Sequence, residues 1–319
     1  MGKIHQFVKD KSIIIIVILL IINISLIIIF KQINSEYLIL KQKENKFELI
    51  SPDIAWMETE DFLEKQKTYT LNYRELKTRI FEELEKDSLE NYGVYFEDLT
   101  TGTWIGINEK EQFLPMSLFK VPLMIVILKK VEEGSLSLNQ TVLISPQDLD
   151  GRSGDLFSLG VGSTLTIKEL IETMIQKSDN TAMQALSRNF ASDEDYLRTI
   201  SMMGLPLPSE QQAVSPKEYS NVLRSLYFST YLRRVFSNTA LIVLQGTVFD
   251  SQIPAGIPSD VKISHKVGFD FEKGFFHDCG IIYKKESPYL LCIMSKNNTL
   301  EKANKMMSEI SRITYEYVP

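Results

Sequence analysis

Cysteine and histidine are scarce in this 319-residue chain, with two of the first and three of the second. Two cysteines cannot build the disulfide framework of a small secreted domain, and no CxxC or Cys/His cluster offers a zinc site. With His5, His265 and His277 as the full set, a Ser-His-Asp hydrolase is a poor starting point. Positive charge is also in deficit. The 35 Lys and Arg stand against 41 Asp and Glu, a net charge of −6, which speaks against nucleic acid as a partner. No internal repeat is present. At 44% apolar and 24% charged, the composition is that of a globular chain, so collagen-like and wholly disordered readings drop out. The length allows one large domain or two ordinary ones.

One long hydrophobic run is present. From Ser12 to Phe30 the chain carries no charge, and its only polar residues are two serines and one asparagine. At 1.5 Å per residue such a run just spans a hydrocarbon core of about 30 Å. A buried core helix would need protein on every side, which a terminal segment lacks. A cleaved signal peptide should end in a small-residue site, whereas Lys31-Gln32-Ile33-Asn34 follows. The run is therefore expected to be an uncleaved signal-anchor, a single transmembrane helix over 12–30. Lys3, Lys9 and Lys11 precede it against Asp10 alone, which places residues 1–11 in the cytoplasm and the rest of the chain outside the cell membrane.

Residues 31–68 are polar and mixed in charge, and are expected to form a stalk ahead of a domain over 69–319. In Tyr73–Lys86, Leu76, Ile80, Phe81 and Leu84 recur at helical spacing. Tyr92–Asp98 and Trp104–Ile107 flank Thr100-Thr101-Gly102 as a hairpin would. Ser117–Glu133 is apolar and stops at Gly134 like a buried helix. Further helices are expected from Leu165 towards Gln176, over Thr181–Phe190, Pro216–Tyr227 and Leu300–Tyr315. Strands are expected over Val261–Ser264, Cys279–Tyr283 and Tyr289–Ser295. This order implies an α+β domain whose single antiparallel sheet gathers strands from both ends of the sequence.

Three short segments carry chemistry. Ser117 and Lys120 lie three residues apart at the start of the apolar helix, one turn from each other. A serine hydroxyl needs an adjacent base, and a lysine whose pKa is lowered by burial or a nearby cation can serve. Helix-end amides can stabilise an oxyanion. Alone, S-x-x-K is more often a helix cap beside a surface lysine. Ser178-Asp179-Asn180 follows 61 residues later. Its hydroxyl can relay a proton, its amide can bind a carbonyl, and its aspartate can cap backbone groups; all three residues also favour a plain capping turn. Lys266, within His265-Lys266-Val267-Gly268, comes 88 residues after Ser178. There a lysine supplies fixed positive charge, and glycine permits close backbone approach.

Taken together, these three segments resemble the serine β-lactamase and penicillin-binding protein superfamily, in particular its class A β-lactamase-like branch. The resemblance runs from about Tyr92 to the C-terminus and includes Ile253–Val267 and the strand beginning His277-Asp278-Cys279-Gly280. It implies the fold of that family, an antiparallel sheet with an all-helical subdomain. It further implies that Ser117 is the acylated nucleophile, Lys120 its base or relay, Ser178 a second relay, and Asn180 a ligand of the substrate amide. Lys266 would anchor a substrate carboxylate, with Gly268 beside it, and the amides of Ser117 and Phe269 would form the oxyanion hole. The family needs no metal and no organic cofactor.

Two departures stand out. Where the family carries Thr or Ser between lysine and glycine, this chain has Val267, and Ser264 or a serine from another loop could compensate only partly. The E-x-x-L-N pattern that holds the deacylating water is missing between Asn180 and Lys266. In the shortened segment Met203–Tyr219, Glu210 is the one carboxylate well inside and the candidate base, because Glu218 reads as first-turn helix.

The remaining singled-out residues have structural readings. His265 is a strand-edge residue, and His277 and Asp278 are structural rather than a base dyad. Cys279 and Cys292 are expected as two buried thiols on neighbouring strands. Tyr227, Phe228 and Tyr231 are expected to pack on a helix. The function expected is a membrane-anchored serine hydrolase acting on a β-lactam or related amide. The alternatives are a penicillin-binding D,D-peptidase acting on cell-wall peptides and a non-catalytic wall-binding relic. The expected partners are that small-molecule or peptide substrate and the bilayer, with the protein a monomer.

Overall fold

The computed structural model describes residues 49–51, 72–86, 91–205 and 213–319. The expected span at 12–30 and Glu210 lie outside the described residues. No helix among the described residues is long and apolar enough to cross a membrane. Leu49, Ile50 and Ser51, inside the segment read as a stalk, are buried, and the Ser51 amide donates to the Tyr227 carbonyl at 2.7 Å.

The first helix, α1 (Arg74–Lys86), buries Leu76, Ile80 and Leu84 at intervals of four, while Phe81 faces outward at 44% exposure. Strands β1 (Tyr92–Asp98) and β2 (Trp104–Ile107) form the expected hairpin. Its turn is organised by Asp98, whose carboxylate accepts the amides of Thr100 at 2.8 Å and Thr101 at 3.1 Å and the Tyr73 hydroxyl at 2.7 Å.

Strands β5 (Ile263–Asp270), β6 (Phe275–Ile282) and β7 (Tyr289–Ser295) complete a five-stranded antiparallel sheet in the order β2-β1-β7-β6-β5. N- and C-terminal strands therefore share one sheet, as the α+β reading requires. One face carries α1 and the last helix, α8 (Leu300–Tyr317), around Phe96, Phe276, Leu291, Ile293, Met307 and Ile310. Burying each such side chain contributes about 1.5–3 kcal/mol.

The opposite face meets α6 (Pro216–Tyr227) and the helical half of the molecule. At the centre of that half is α2 (Lys120–Glu132), in which every residue from Lys120 to Leu128 is buried. Such an all-round apolar helix requires neighbours on all sides. It has them in α3 (Ile167–Gln176), α4 (Asn180–Phe190), α5 (Asp193–Met202) and α7 (Arg234–Gln245). A small ribbon of β3 (Thr141–Leu143) and β4 (Thr164–Thr166) borders this half.

Several expectations are corrected. Ser117 is not in the α-helix: Met116–Phe119 is a 3-10 turn, and α2 begins at Lys120. Lys266 does not follow a strand but sits inside β5, which runs to Asp270. Cys279 and Cys292 are not free thiols, since they lie directly opposite each other on β6 and β7 and are joined in a disulfide. Tyr231 lies beyond the end of α6 and bonds the Thr199 hydroxyl at 3.1 Å. Helices α5 and α7 were not anticipated.

Candidate active site

The turn that carries Ser117 is shaped by its backbone. Pro115 opens it, and its carbonyl accepts the Leu118 amide at 3.0 Å. Met116 adopts φ +48°, a left-handed conformation that costs a non-glycine residue about 1–3 kcal/mol. Three groups hold the turn in place. The His277 Nε2 lies 2.8 Å from the Leu114 carbonyl oxygen, and the Tyr219 hydroxyl donates to the Leu118 carbonyl at 3.0 Å. The third group is Gly268 in β5: a Cβ there would come 2.9 Å from the Pro115 carbonyl oxygen and 3.2 Å from the Met116 Cβ. The glycine therefore lets the sheet edge touch the turn.

His277 is structural, as expected. Its ring is fully buried, and desolvation pushes its pKa down to about 4. The neutral tautomer fits both contacts: Nε2–H donates to Leu114, and Nδ1 accepts the Ser295 amide at 3.3 Å.

Lys120 opens α2 and is inaccessible to solvent. Its Nζ donates to the Ser178 carbonyl at 2.5 Å, to the Asn180 Oδ1 at 2.8 Å and to the Ser178 hydroxyl at 3.3 Å. Burial lowers its pKa to about 8, opposed by the charges of Asp179 and Asp150. Lys266 reaches the same hydroxyl from β5, with Nζ 3.0 Å from the Ser178 Oγ and 3.1 Å from the Val267 carbonyl oxygen. Full burial pushes its pKa well down, and the nearby Lys120 adds to that. Ser178 thus stands between two amines.

Ser178 also has a left-handed backbone, at φ +56°. Asp179 stabilises the segment: Oδ1 accepts the Ala182 amide as the cap of α4, and Oδ2 accepts the Leu156 amide, both at 2.8 Å. The fit is close enough that a Cβ on Gly154, itself at φ +83°, would lie 2.0 Å from the Asp179 Oδ2. The Asn180 amide donates to the Ser153 carbonyl at 3.0 Å. Asp150 is held well below the usual carboxylate range, chiefly by Arg152 and also by Asn180.

A cavity of about 600 Å³ lies on the Met116 and Phe119 side of the turn, lined mostly by apolar residues. Ser117, Lys120, Ser178 and Lys266 do not line it, so the polar constellation is separate from it.

The chain matches the model of the beta-lactamase enzyme family over residues 75–318. The chain belongs to that family. Beta-lactamase VEB-1 of Pseudomonas aeruginosa is 21% identical over 66% of this chain and 80% of its own length. Beta-lactamase Toho-1 of Escherichia coli is 25% identical over 70% of this chain and 82% of its own length. Among solved structures, PBP-A superposes with a TM-score of 0.69 at 21% identity, covering 76% of this chain and 95% of PBP-A. The beta-lactamase family fold thus accounts for the sheet, the helical half and the place of the three segments between them.

The fold brings Lys120, Ser178, Asn180 and Lys266 into one bonded cluster beside the Ser117 turn, with Phe269 next to Gly268 on the adjoining strand. Other residues from the sequence reading serve the scaffold. Ser264 is fully buried, donates to the Leu241 carbonyl at 2.8 Å and accepts the Tyr283 hydroxyl at 3.2 Å, so it does not substitute for the hydroxyl missing at Val267. Glu218 closes a capping box with Ser215 at the start of α6, as its first-turn position suggested. His265 is buried inside β5, with Nδ1 2.8 Å from the Asp278 Oδ1. Tyr219 and Gly154, both structurally decisive for the site, carry no motif that would have singled them out.

Proposed function

We propose that this beta-lactamase-family serine hydrolase works through an acyl-enzyme on Ser117. The observation that carries the reading is Ser178 Oγ held by Lys120 on one side and Lys266 on the other, next to the clamped Ser117 turn. Neutral Lys120 takes the proton of the Ser117 hydroxyl as its oxygen attacks the amide carbonyl. The oxyanion forms against the amides of Ser117 and Phe269. The C–N bond then breaks, and the leaving nitrogen receives a proton through Ser178. Asn180 positions the carbonyl side of the substrate, and water finally hydrolyses the ester.

The substrate is a β-lactam or a related amide or peptide. Absence of E-x-x-L-N favours slow deacylation, the behaviour of a penicillin-binding peptidase acting on wall peptides, and this is the second reading. The same proposal tethers the domain to the outer side of the cell membrane through 12–30. Incubating the chain with a fluorescent penicillin and following both labelling and loss of label separates the readings. Labelling with fast loss indicates a lactamase, labelling with slow loss a peptidase, and no labelling refutes both.

A further inference from the structure

The segment Asp150–Ser153 is bonded at both ends to the start of α4. The Asp150 amide donates to the Thr181 Oγ1 at 3.0 Å, that hydroxyl donates to the Asp150 carbonyl at 3.3 Å, and the Asn180 amide donates to the Ser153 carbonyl. Thr181 is fully buried. Between these anchors a Cβ on Gly151 would come 3.2 Å from the Phe157 ring, so the segment is packed from a second side. The Asp150 side chain, 10% exposed, is thus carried on a fixed backbone next to Asn180.

The outer partner of that carboxylate is Arg152. Its Nε lies 3.0 Å from Oδ1 and 3.1 Å from Oδ2, and its backbone amide donates to Oδ1 at 3.0 Å. On the inner side the Asn180 side-chain amide donates to the same carboxylate. Asn180 therefore stands between an anion and an amine, because its Oδ1 accepts the Lys120 Nζ at 2.8 Å. One orientation of an amide satisfies both neighbours. Turned over, it would set its carbonyl oxygen against the carboxylate and its N–H groups against the amine, losing both hydrogen bonds. Nδ2 carries two hydrogens, so one remains for a substrate carbonyl.

We propose that Asp150 is a positioning residue for acylation: it fixes the orientation of the Asn180 amide, holding Oδ1 on Lys120 and presenting Nδ2 to the substrate carbonyl. The proposal rests on Ser117 as the nucleophile and Lys120 as its base. The same carboxylate acts on Lys120 by charge. The charged groups that face this amine are Asp150 and Arg152 from the loop, Asp179 from the cap of α4 and Lys266 from β5. Asp179 is committed to the Ala182 and Leu156 amides. Removing the Asp150 charge favours the neutral amine, and removing the Arg152 charge favours the ammonium. Because Arg152 is 81% exposed, water screens its charge and the second effect is the smaller.

Acylation of the full chain by benzylpenicillin, followed by intact mass across the pH range, reads both effects. The wild-type rate should rise to a plateau with its midpoint at about pH 8. Asp150→Asn, alike in size but uncharged, should lower the plateau by about tenfold or more. It should also move the midpoint down by about half a pH unit or more. Arg152→Gln should move the midpoint up by a smaller amount. A wild-type plateau in Asp150→Asn overturns the proposal. A lower plateau with an unmoved midpoint is the mark of a merely structural contact and overturns it as well. If Asp150→Asn fails to fold, Arg152→Gln decides, and a midpoint that stays or moves down overturns the proposal. A wild-type chain with a flat profile, or with no adduct on Ser117, refutes the base or nucleophile assignment itself, and the proposal falls with it.

Discussion

The Lys120 amine lies 2.5 Å from the carbonyl oxygen of Ser178 and 3.3 Å from its hydroxyl, inside a region closed to solvent. A lysine held this way pays the desolvation cost of its charge, so its pKa falls from the ordinary value to about 8. The proposed base form is the neutral amine. Below pH 8 its fraction, and with it the acylation rate, should fall about tenfold per pH unit, and the rate should level off above pH 8. Stopped-flow acylation between pH 6 and 9 checks this, and a flat profile would remove Lys120 from the role. Lys120→Arg, which stays charged throughout, should acylate slower by roughly 10²–10⁴-fold.

Gly268→Ala places a methyl group 2.9 Å from the Pro115 carbonyl oxygen. The Ser117 turn must shift to make room. We expect a stability loss of about 1–3 kcal/mol, and a fall in kcat/KM of about tenfold or more because the nucleophile and the Phe269 amide move apart. Thermal unfolding and steady-state kinetics on one preparation separate the two effects. Unchanged kcat/KM would show that this contact does not set the nucleophile's position.

Much of this arrangement is legible in the sequence, and the exceptions have physical causes. The hairpin, β7 and α6 follow directly from alternation, turn residues and the Ser215–Glu218 capping box. Helix α7 hides because Val235 and Ile242 are exposed on it and it has no side-chain cap, so neither periodicity nor a start signal marks it. The disulfide was not legible, since pairing depends on the β6–β7 register that places Cys279 opposite Cys292. The SxxK, SDN and lysine–glycine segments suggest the proposed chemistry by residue type. The groups that hold them together, such as Tyr219 on Leu118 and His277 on Leu114, are tertiary contacts with separations of 101 and 163 residues.

Gly154→Ala combines an unfavourable φ of +83° with a Cβ 2.0 Å from the Asp179 carboxylate. It should destabilise the domain by about 2 kcal/mol or more, lowering the Tm by several degrees. Because the Asn180 amide is bonded to Ser153, next to this glycine, acylation should slow as well. Calorimetry showing an unaltered Tm would contradict the close fit described.

Turnover is expected to be biphasic. The proposed acylation draws its nucleophile from Ser117 and its base from Lys120, whereas the segment Met203–Tyr219 lacks the E-x-x-L-N pattern, so a burst of product followed by slow release is predicted. Glu210→Gln should lengthen adduct lifetime with the burst intact if that carboxylate activates the water. An unchanged lifetime assigns deacylation elsewhere, and fast steady-state hydrolysis without a burst would contradict the prediction.

The acyl-enzyme on Ser117 is tested most directly by peptide mapping after reaction with benzylpenicillin. Mass spectrometry should find the penicilloyl group on the peptide containing Ser117, and Ser117→Ala should abolish it while leaving the fold, read by circular dichroism, unchanged. Labelling that persists in folded Ser117→Ala, or an adduct mapped to another residue, would contradict the assignment.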